Sequence, residues 1–294
     1  MPELPDVSVY CEALAPRIVG HVLTRVDIVH PFLLRTAVPP INAVDGRSVV
    51  GVRRLGKRIA IELDGHLFLV IHLMIAGRLR WLAASDKVAS RITLAVLHFT
   101  SGRLAITEAG TRRRAAMHVV EGEEALAALK PSGAEVADLD EAAFASRLVA
   151  ENHTLKRALT DPRTFSGIGN AYSDEILHRA RLSPIAHTQK LSRGDVARLY
   201  HATRDVLDEW TQRLRDQTGA GFPGKVTAFR PGMAVHGRYG KPCPVCGAPV
   251  QRIVYAENEC NYCARCQTGG KVLADRALSR LLHESWPRSI DALE

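Results

Sequence analysis

The chain has 294 residues, of which 46% are hydrophobic and 24% are charged. This length suits two domains with a small appendage, and the apolar content excludes a chain that is disordered throughout. The formal net charge of +8 lies mostly after residue 150 and favours phosphate-bearing partners, although net charge alone is more often a property of a solvated surface.

The sequence predicts neither export nor membrane insertion. The first residues, Met1-Pro2-Glu3, lack the basic start and apolar core of a signal peptide. The longest apolar run, Leu67 to Ile71, is far too short to cross a bilayer. We therefore expect a cytoplasmic protein that has no membrane partner and keeps its cysteines reduced.

One amphipathic helix opens the chain, and β-rich runs follow it. Pro5 and Asp6 suit a helix start, and apolar residues repeat at helical spacing until Gly20. Asp64-Gly65 and Ser101-Gly102 predict hairpin turns. The predicted strands cover 22–29, 49–53, 59–63, 67–72 and 92–99. Strands of this number and spacing favour an N-terminal β-sandwich or barrel, with a flanking helix, over a parallel sheet.

The composition becomes acidic and alanine-rich between 119 and 149, and Lys130-Pro131-Ser132-Gly133 predicts a domain boundary. The following region is helical, and its clearest helix starts at the capping box Ser192-x-x-Asp195. We predict an α+β multidomain protein in four parts. These are a β domain at 1–130, a helical domain at 131–225, a zinc finger at 226–270 and a helical tail at 271–294.

The segment around Gly167, Gly169 and Asn170 predicts the start of a helix that binds phosphate. Backbone amides at a helix start have no partner within the helix, and glycine lets a nucleic acid backbone approach closely. The side chain of Asn170 adds an amide donor that does not depend on protonation. A plain helix-turn-helix corner is an equally good interpretation of this segment taken alone.

Four cysteines near the end of the chain predict a zinc site. Cys243-x-x-Cys246 and Cys263-x-x-Cys266 are separated by sixteen residues, which is typical of a tetrahedral site in which four thiolates hold one structural Zn²⁺. Disulfides or packed cysteines are the alternative interpretation. Cys260 also forms a Cys-x-x-Cys pair with Cys263, but the spacing favours Cys266. Because so small a segment buries little apolar surface, zinc should supply most of its folding energy.

The amino terminus offers a candidate nucleophile. Removal of Met1 ahead of the small Pro2 would leave a secondary amine beside Glu3. An α-amino group has a pKa of about 7.7–8.0, so a useful fraction is neutral near pH 7 and can attack a sugar carbon to form an imine. Taken alone, a frayed terminus without a role is the simpler interpretation.

Read together and in order, the motifs resemble the formamidopyrimidine and endonuclease VIII (Fpg/Nei) family of DNA glycosylases. The resemblance covers nearly the whole chain. The matching segments are Pro2-Glu3-Leu4-Pro5, Leu55-Gly56-Lys57, His72-Leu73, Gly167-Ile168-Gly169-Asn170, Asp174-Glu175-Ile176-Leu177, His236-Gly237-Arg238 and Tyr262-Cys263-Ala264-Arg265-Cys266-Gln267.

The resemblance implies a bifunctional glycosylase and abasic-site lyase that repairs oxidised bases in double-stranded DNA by base excision. In that family the amino-terminal proline, here Pro2, attacks C1′ of the damaged nucleotide. Glu3 then serves as acid and base, and Lys57 binds phosphate and assists catalysis. Strand cleavage follows by β or β,δ elimination. A base must leave the stack to be excised. This step costs a few kcal/mol, and the cost is lower for a damaged base.

The resemblance also implies a helix-two-turn-helix domain that grips damaged DNA together with the zinc hairpin. Asn170, with Gly169 before it, would hold the phosphate beside the lesion. Arg113, Asn258 and Arg265 match positions expected to contact DNA. We expect a monomer, associated with the nucleoid when it is bound to DNA.

The sequence departs from the family pattern at several places, among them Asp6, where a glutamate is usual, and a longer tail after Gln267. Ile75 replaces a methionine that fills the gap left by the flipped base, and no phenylalanine follows Arg112 to Arg114. Asn258 stands where an arginine is expected at the hairpin tip. An alternative hypothesis is therefore a catalytically silent protein of the same fold that binds damaged DNA. Retained Pro2, Glu3 and Lys57 favour the enzyme. A third hypothesis, a zinc-ribbon adaptor with an unrelated N-terminal domain, leaves the Pro2-Glu3-Leu4-Pro5 start unexplained.

Overall fold

The computed structural model describes residues 1–83, 86–88, 91–110, 112–224, 226–255, 258–275 and 287–292. Contacts divide the chain into two units. Unit 1 comprises Met1–Pro131 and Trp210–Thr227, and unit 2 comprises Ser132–Glu209 and Ala228–Glu294. The four-part division made from the sequence stays a prediction.

The described residues form seven helices of the α class and ten strands, apart from short 3-10 turns. The helices are α1 (Leu4–Ile18), α2 (Gly122–Ala128), α3 (Glu141–Val149), α4 (Leu155–Thr160), α5 (Asn170–Arg179), α6 (Arg193–Thr218) and α7 (Ala264–Thr268). The strands are β1 (Val22–Ile28), β2 (Arg47–Leu55), β3 (Arg58–Leu63), β4 (Leu67–His72), β5 (Gly77–Leu82), β6 (Thr93–Phe99), β7 (Gly102–Glu108), β8 (Ala116–Glu121), β9 (Gln251–Tyr255) and β10 (Asn258–Tyr262). No described helix is both long and apolar enough to pass through a membrane.

Unit 1 contains an antiparallel sheet in the order β5-β7-β6-β1-β2-β3-β4-β8. Only two residue pairs join β1 to β2, Val22 with Ser48 and Leu23 with Arg47, so the sheet consists of two four-stranded halves. Both halves supply side chains to one apolar core, for example Ile61 from one half and Leu97 from the other. The predicted fold class, an N-terminal β-sandwich within an α+β protein, is confirmed.

Helix α1 closes this core and fixes the amino terminus. Tyr10, Leu14 and Ile18 are fully buried on its apolar face. Glu3 precedes the helix as its N-cap and forms a capping box with Asp6, which satisfies backbone donors of the first turn. The sequence around Glu3 therefore determines both where α1 begins and where the amino-terminal residues lie.

The two glycine turns predicted in the sheet are confirmed, but three strands were missed. β3 and β4 are joined around Gly65, which has a φ of 71°, and β6 and β7 are joined ahead of Gly102. The missed strands are β5, β7 and β8. β5 has basic residues at alternate positions, among them the exposed Arg80. A search for apolar runs therefore does not detect this strand, although its Leu79 faces the core.

Unit 2 contains helices and a β-hairpin that lies between the two Cys-x-x-Cys pairs. The predicted capping box of α6 is confirmed, since the Asp195 backbone N–H donates to Ser192 Oγ at 3.1 Å. β9 and β10 pair as an antiparallel hairpin, and α7 follows them. The predicted helical tail is not helical over residues 271–275, and residues 276–286 of that prediction lie outside the described part of the chain.

Candidate active site and metal centre

The predicted catalytic residues Pro2 and Glu3 are buried beside the first turn of α1. Glu3 has 2% of its surface exposed, and its backbone N–H donates to Asp6 Oδ2 at 2.9 Å. Pro2 is also buried, directly before this capped turn. The capping box therefore holds the amino-terminal segment in place rather than leaving it frayed.

The amino group and Lys57 share one electrostatic environment. The chain's amino group belongs to Met1, and burial lowers its pKa, while the charge of Glu3 raises it. Charges on Arg78 and Lys57 lower it further. Burial also lowers the pKa of Lys57, and the Glu3 charge again acts in the opposite direction. The structure therefore brings the terminus, Glu3 and Lys57 within electrostatic reach of one another.

Local geometry explains how Lys57 is presented. β2 and β3 pair up to Leu55 and Arg58, so that only Gly56 and Lys57 remain in the turn. Gly56 has a φ of 60°, a left-handed conformation that glycine adopts without the steric cost of a side chain. Lys57 is half-buried on this two-residue turn.

Arg113 and Ile75 occupy loops that flank the strands of unit 1. Arg113 is exposed, contacts the ring of His30, and donates from Nη2 to the Arg91 carbonyl oxygen at 2.7 Å. Ile75 is 51% exposed between β4 and β5. Met74 before it has a φ of 51°, which is uncommon for a residue with a side chain.

In unit 2, Gly169 is the N-cap of α5 and Asn170 is its first residue. The Asn170 side chain donates from Nδ2 to the Glu259 carbonyl oxygen of β10 at 2.8 Å. Lys156 donates to the Asn170 carbonyl oxygen at 2.7 Å and to Asp174 Oδ1 at 2.6 Å. The predicted phosphate-binding helix start is thus ordered by an ammonium group and by the zinc hairpin.

The sequence interpretation gave no role to Lys156 or to the acidic pair of α5. Glu175 is buried and accepts backbone N–H groups from Ala234, Val235 and His236 at 2.7–2.9 Å. Burial raises the pKa of Glu175. The Asp174-Glu175 pair was noted only as part of a motif. Contacts with residues sixty positions away, which no local pattern predicts, show that the pair anchors the zinc segment to α5.

The four cysteines chosen by spacing have their Sγ atoms within 4.8 Å of one another. Cys243 Sγ lies 3.9 Å from Cys266 Sγ, and Cys246 Sγ lies 3.4 Å from Cys263 Sγ. Tetrahedral Zn–S bonds of about 2.3 Å place sulfurs about 3.8 Å apart, so the cluster fits zinc. Burial raises the pKa of Cys266 to about 11, and a bound divalent cation would reverse that effect.

Cys260 lies outside this cluster. Its side chain is buried, and burial, followed by the charge of Asp174, raises its thiol pKa well above the usual value. A neutral thiol fits that environment. The geometry thus separates Cys260 from the four converging sulfurs.

The remaining predicted DNA contacts lie in or beside the zinc segment. Arg265 is in α7, and its guanidinium pairs with Asp291 at 3.2 Å. The backbone of Asn258 begins β10, where it pairs with Tyr255, but its side chain lies outside what the structure describes.

Three family models match the chain. Residues 1–117 match the formamidopyrimidine-DNA glycosylase N-terminal domain, and residues 131–219 match the H2TH domain of the same enzyme. Residues 240–269 match a zinc finger found in FPG and IleRS. This match, together with the geometry of the cysteine cluster, confirms the predicted cofactor, one structural zinc.

Formamidopyrimidine-DNA glycosylase of Thermus thermophilus is 33% identical to this chain over 280 residues, which cover 92% of this chain and 100% of the relative. The crystal structure of the MutM (FPG) protein from the same organism has a TM-score of 0.75 at 30% identity, covering 90% of this chain and 98% of that one. A complex between Lactococcus lactis Fpg and DNA containing an abasic site has a TM-score of 0.79 at 25% identity, covering 90% and 99%.

Proposed function

The chain belongs to the formamidopyrimidine-DNA glycosylase family, and from that premise we propose that its Pro2 excises oxidised bases from double-stranded DNA and then cleaves the strand at the abasic site. The observation that carries this proposal is the burial of Pro2 and Glu3 at the start of the chain, within electrostatic reach of Lys57. The Lactococcus lactis relative, which is bound to DNA with an abasic site, supports this class of substrate.

Catalysis requires that Met1 be removed, because only then does Pro2 carry a secondary amine. Its nitrogen attacks C1′, a C–N bond forms, and the bond from C1′ to the base breaks as the base leaves with a proton. Opening of the sugar ring gives an iminium ion between the Pro2 nitrogen and C1′. Glu3 is the acid and base that moves these protons.

Strand cleavage follows from the same iminium ion. It withdraws electrons from C2′, so that loss of a C2′ proton forms a double bond to C3′ as the bond from C3′ to oxygen breaks. The phosphate on the 3′ side is released. A second elimination removes the phosphate on the 5′ side, and water then hydrolyses the iminium to return the Pro2 amine. Lys57 binds a phosphate during these steps.

The other residues that contact DNA bind phosphates and take no part in the bond-breaking steps. Asn170 and Gly169 at the start of α5 hold a phosphate beside the lesion through backbone and side-chain N–H groups. Arg265 and Asn258 of the zinc segment add contacts, as does Arg113 in unit 1. The enzyme works as a monomer in the cytoplasm, on the DNA of the nucleoid.

The test uses a protein made with an amino-terminal extension that a protease removes to leave Pro2 first. We expect the cleaved protein to form a covalent adduct with abasic-site DNA on borohydride reduction, and the uncleaved protein to form none while still binding DNA. Normal strand cleavage by the blocked protein would contradict the role of Pro2. A cleaved protein that binds DNA with an oxidised purine, an oxidised pyrimidine or an abasic site, yet never cross-links, would show a silent binder.

A further inference from the structure

Helix α5 carries a stripe of polar residues that points at the zinc segment. Asn170, Asp174 and His178 are four residues apart and therefore lie on one face of the helix. Asn170 contacts the Glu259 carbonyl oxygen, as described above. Asp174 Oδ2 accepts the backbone N–H of Asn261 at 3.1 Å. Each turn of α5 thus contacts a different part of the zinc segment, and the last contact involves a zinc ligand.

That last contact joins His178 to Cys243. Nε2 of the imidazole lies 3.3 Å from Cys243 Sγ, and both side chains are buried. A cysteine that binds zinc does so as a thiolate and has no proton to donate. The imidazole nitrogen must therefore be the donor, with its hydrogen on Nε2. The Val245 backbone N–H also approaches this sulfur, at 3.5 Å.

Donors of this kind matter because four thiolates around one Zn²⁺ leave two negative charges at a partly buried site. Hydrogen bonds to ligand sulfurs spread that charge and fix the orientation of the ligand. We infer that His178 is a positioning residue of the zinc centre, which donates Nε2–H to the Cys243 thiolate and so couples the metal site to the helix that begins at Asn170. This inference concerns zinc retention, so it can fail while the proposed glycosylase activity stands.

Two substitutions separate the hydrogen bond from packing. His178→Phe keeps a ring of similar size and has no hydrogen-bond donor. His178→Gln places an amide N–H at a distance from the helix similar to that of the imidazole Nε2–H. Outer partners of metal ligands typically change metal affinity by roughly 10- to 100-fold. We expect His178→Phe to release zinc to a chromogenic chelator at least about tenfold faster than the wild type, and His178→Gln to stay within about twofold. In the Co²⁺-substituted protein, the thiolate charge-transfer band should shift for His178→Phe alone.

Equal release rates and equal Co²⁺ spectra for the wild type and both variants would overturn the inference. Equal loss in the two variants would also overturn it, since packing alone would then explain the effect. If His178→Phe does not fold, nuclear magnetic resonance of the wild type decides. In the ¹¹³Cd-loaded protein, a slowly exchanging Nε2–H that couples to cadmium supports the bond, and an imidazole protonated only at Nδ1 excludes it.

Discussion

At the scale of single residues, burial and one carboxylate act against each other on the amines of unit 1. Burial lowers the pKa of the chain's amino group and of Lys57, and the Glu3 charge raises both. An amine attacks carbon only when it is neutral, so the same burial would favour a neutral Pro2 amine once Met1 is removed. The charge of Glu3 partly offsets this effect of burial on the amine pKa, and the same carboxylate can accept and donate protons.

This balance predicts the effect of Glu3→Gln on the pH dependence of cross-linking. Loss of the negative charge lowers the pKa of the terminal amine further, so the amine stays neutral to lower pH. We expect the acidic limb of the pH profile for borohydride-trapped adduct on abasic-site DNA to move to lower pH, whatever the maximal rate. Glu124→Gln, at an exposed position of α2, is the control. A limb that moves up, or that moves equally in both variants, would contradict this account.

Candidate site residues were recognised in the sequence where each stands in a short local pattern. Cys243 and Cys246 form such a pattern, and Asn170 follows two glycines. Lys156 and His178 have no such signal, because their partners lie far away in the chain and a single basic residue on a helix is usually solvated. Only the fold shows that Lys156 holds the first turn of α5 and that His178 reaches a cysteine sixty-five positions ahead.

At the scale of elements, local patterns predicted turns and single strands better than they predicted which strands pair. The bounds of β4, Leu67–His72, agree with the prediction because the strand is a continuous apolar run that ends at a polar residue. The pairings of β5 with β7 and of β1 with β6 join segments tens of residues apart, and an apolar pattern does not indicate such partners. β8 was missed because its polar His118 alternates with buried Met117 and Val119 beside an acidic stretch.

His72, at the end of β4, makes the stability of the sheet depend on pH. Burial, with the charges of Arg58 and Lys57, lowers its pKa from 6.5 to about 4. Above pH 6.5 the ring is neutral in both the folded and unfolded states. Between pH 6.5 and 4, His72 binds a proton in the unfolded chain but not in the folded chain, so stability falls as the pH falls.

We therefore expect His72→Gln to flatten the pH dependence of the unfolding free energy between pH 6.5 and 4, by up to about 3 kcal/mol. Denaturant titrations at half-unit pH steps measure this difference. His201→Gln, at an exposed position of α6, should follow the wild type. An unchanged slope in His72→Gln would show that other groups account for the acid sensitivity.

At the scale of the whole molecule, the two units differ in what stabilises them. The core of unit 1 is a large apolar cluster drawn from α1 and both halves of the sheet. The end of unit 2 has a smaller cluster, in which Val235, Ile253 and Tyr262 pack around the cysteines. Because that cluster includes Cys243 and Cys263 themselves, loss of the metal removes both a cross-link and part of the packing.

Chelation should therefore unfold one part of the molecule and spare another. We expect removal of zinc to raise amide hydrogen exchange in β9, β10 and α7 by at least about 100-fold, because metal binding supplies most of their folding free energy, while β3 and β4 keep their protection. Cys263→Ser should reproduce this pattern without a chelator, and Cys260→Ser should retain zinc and wild-type exchange, since its sulfur lies outside the cluster. Protection that persists in β9 and β10 of the metal-free protein would show that packing against α5 suffices to fold the hairpin, and equal zinc content in the two cysteine variants would overturn the ligand assignment.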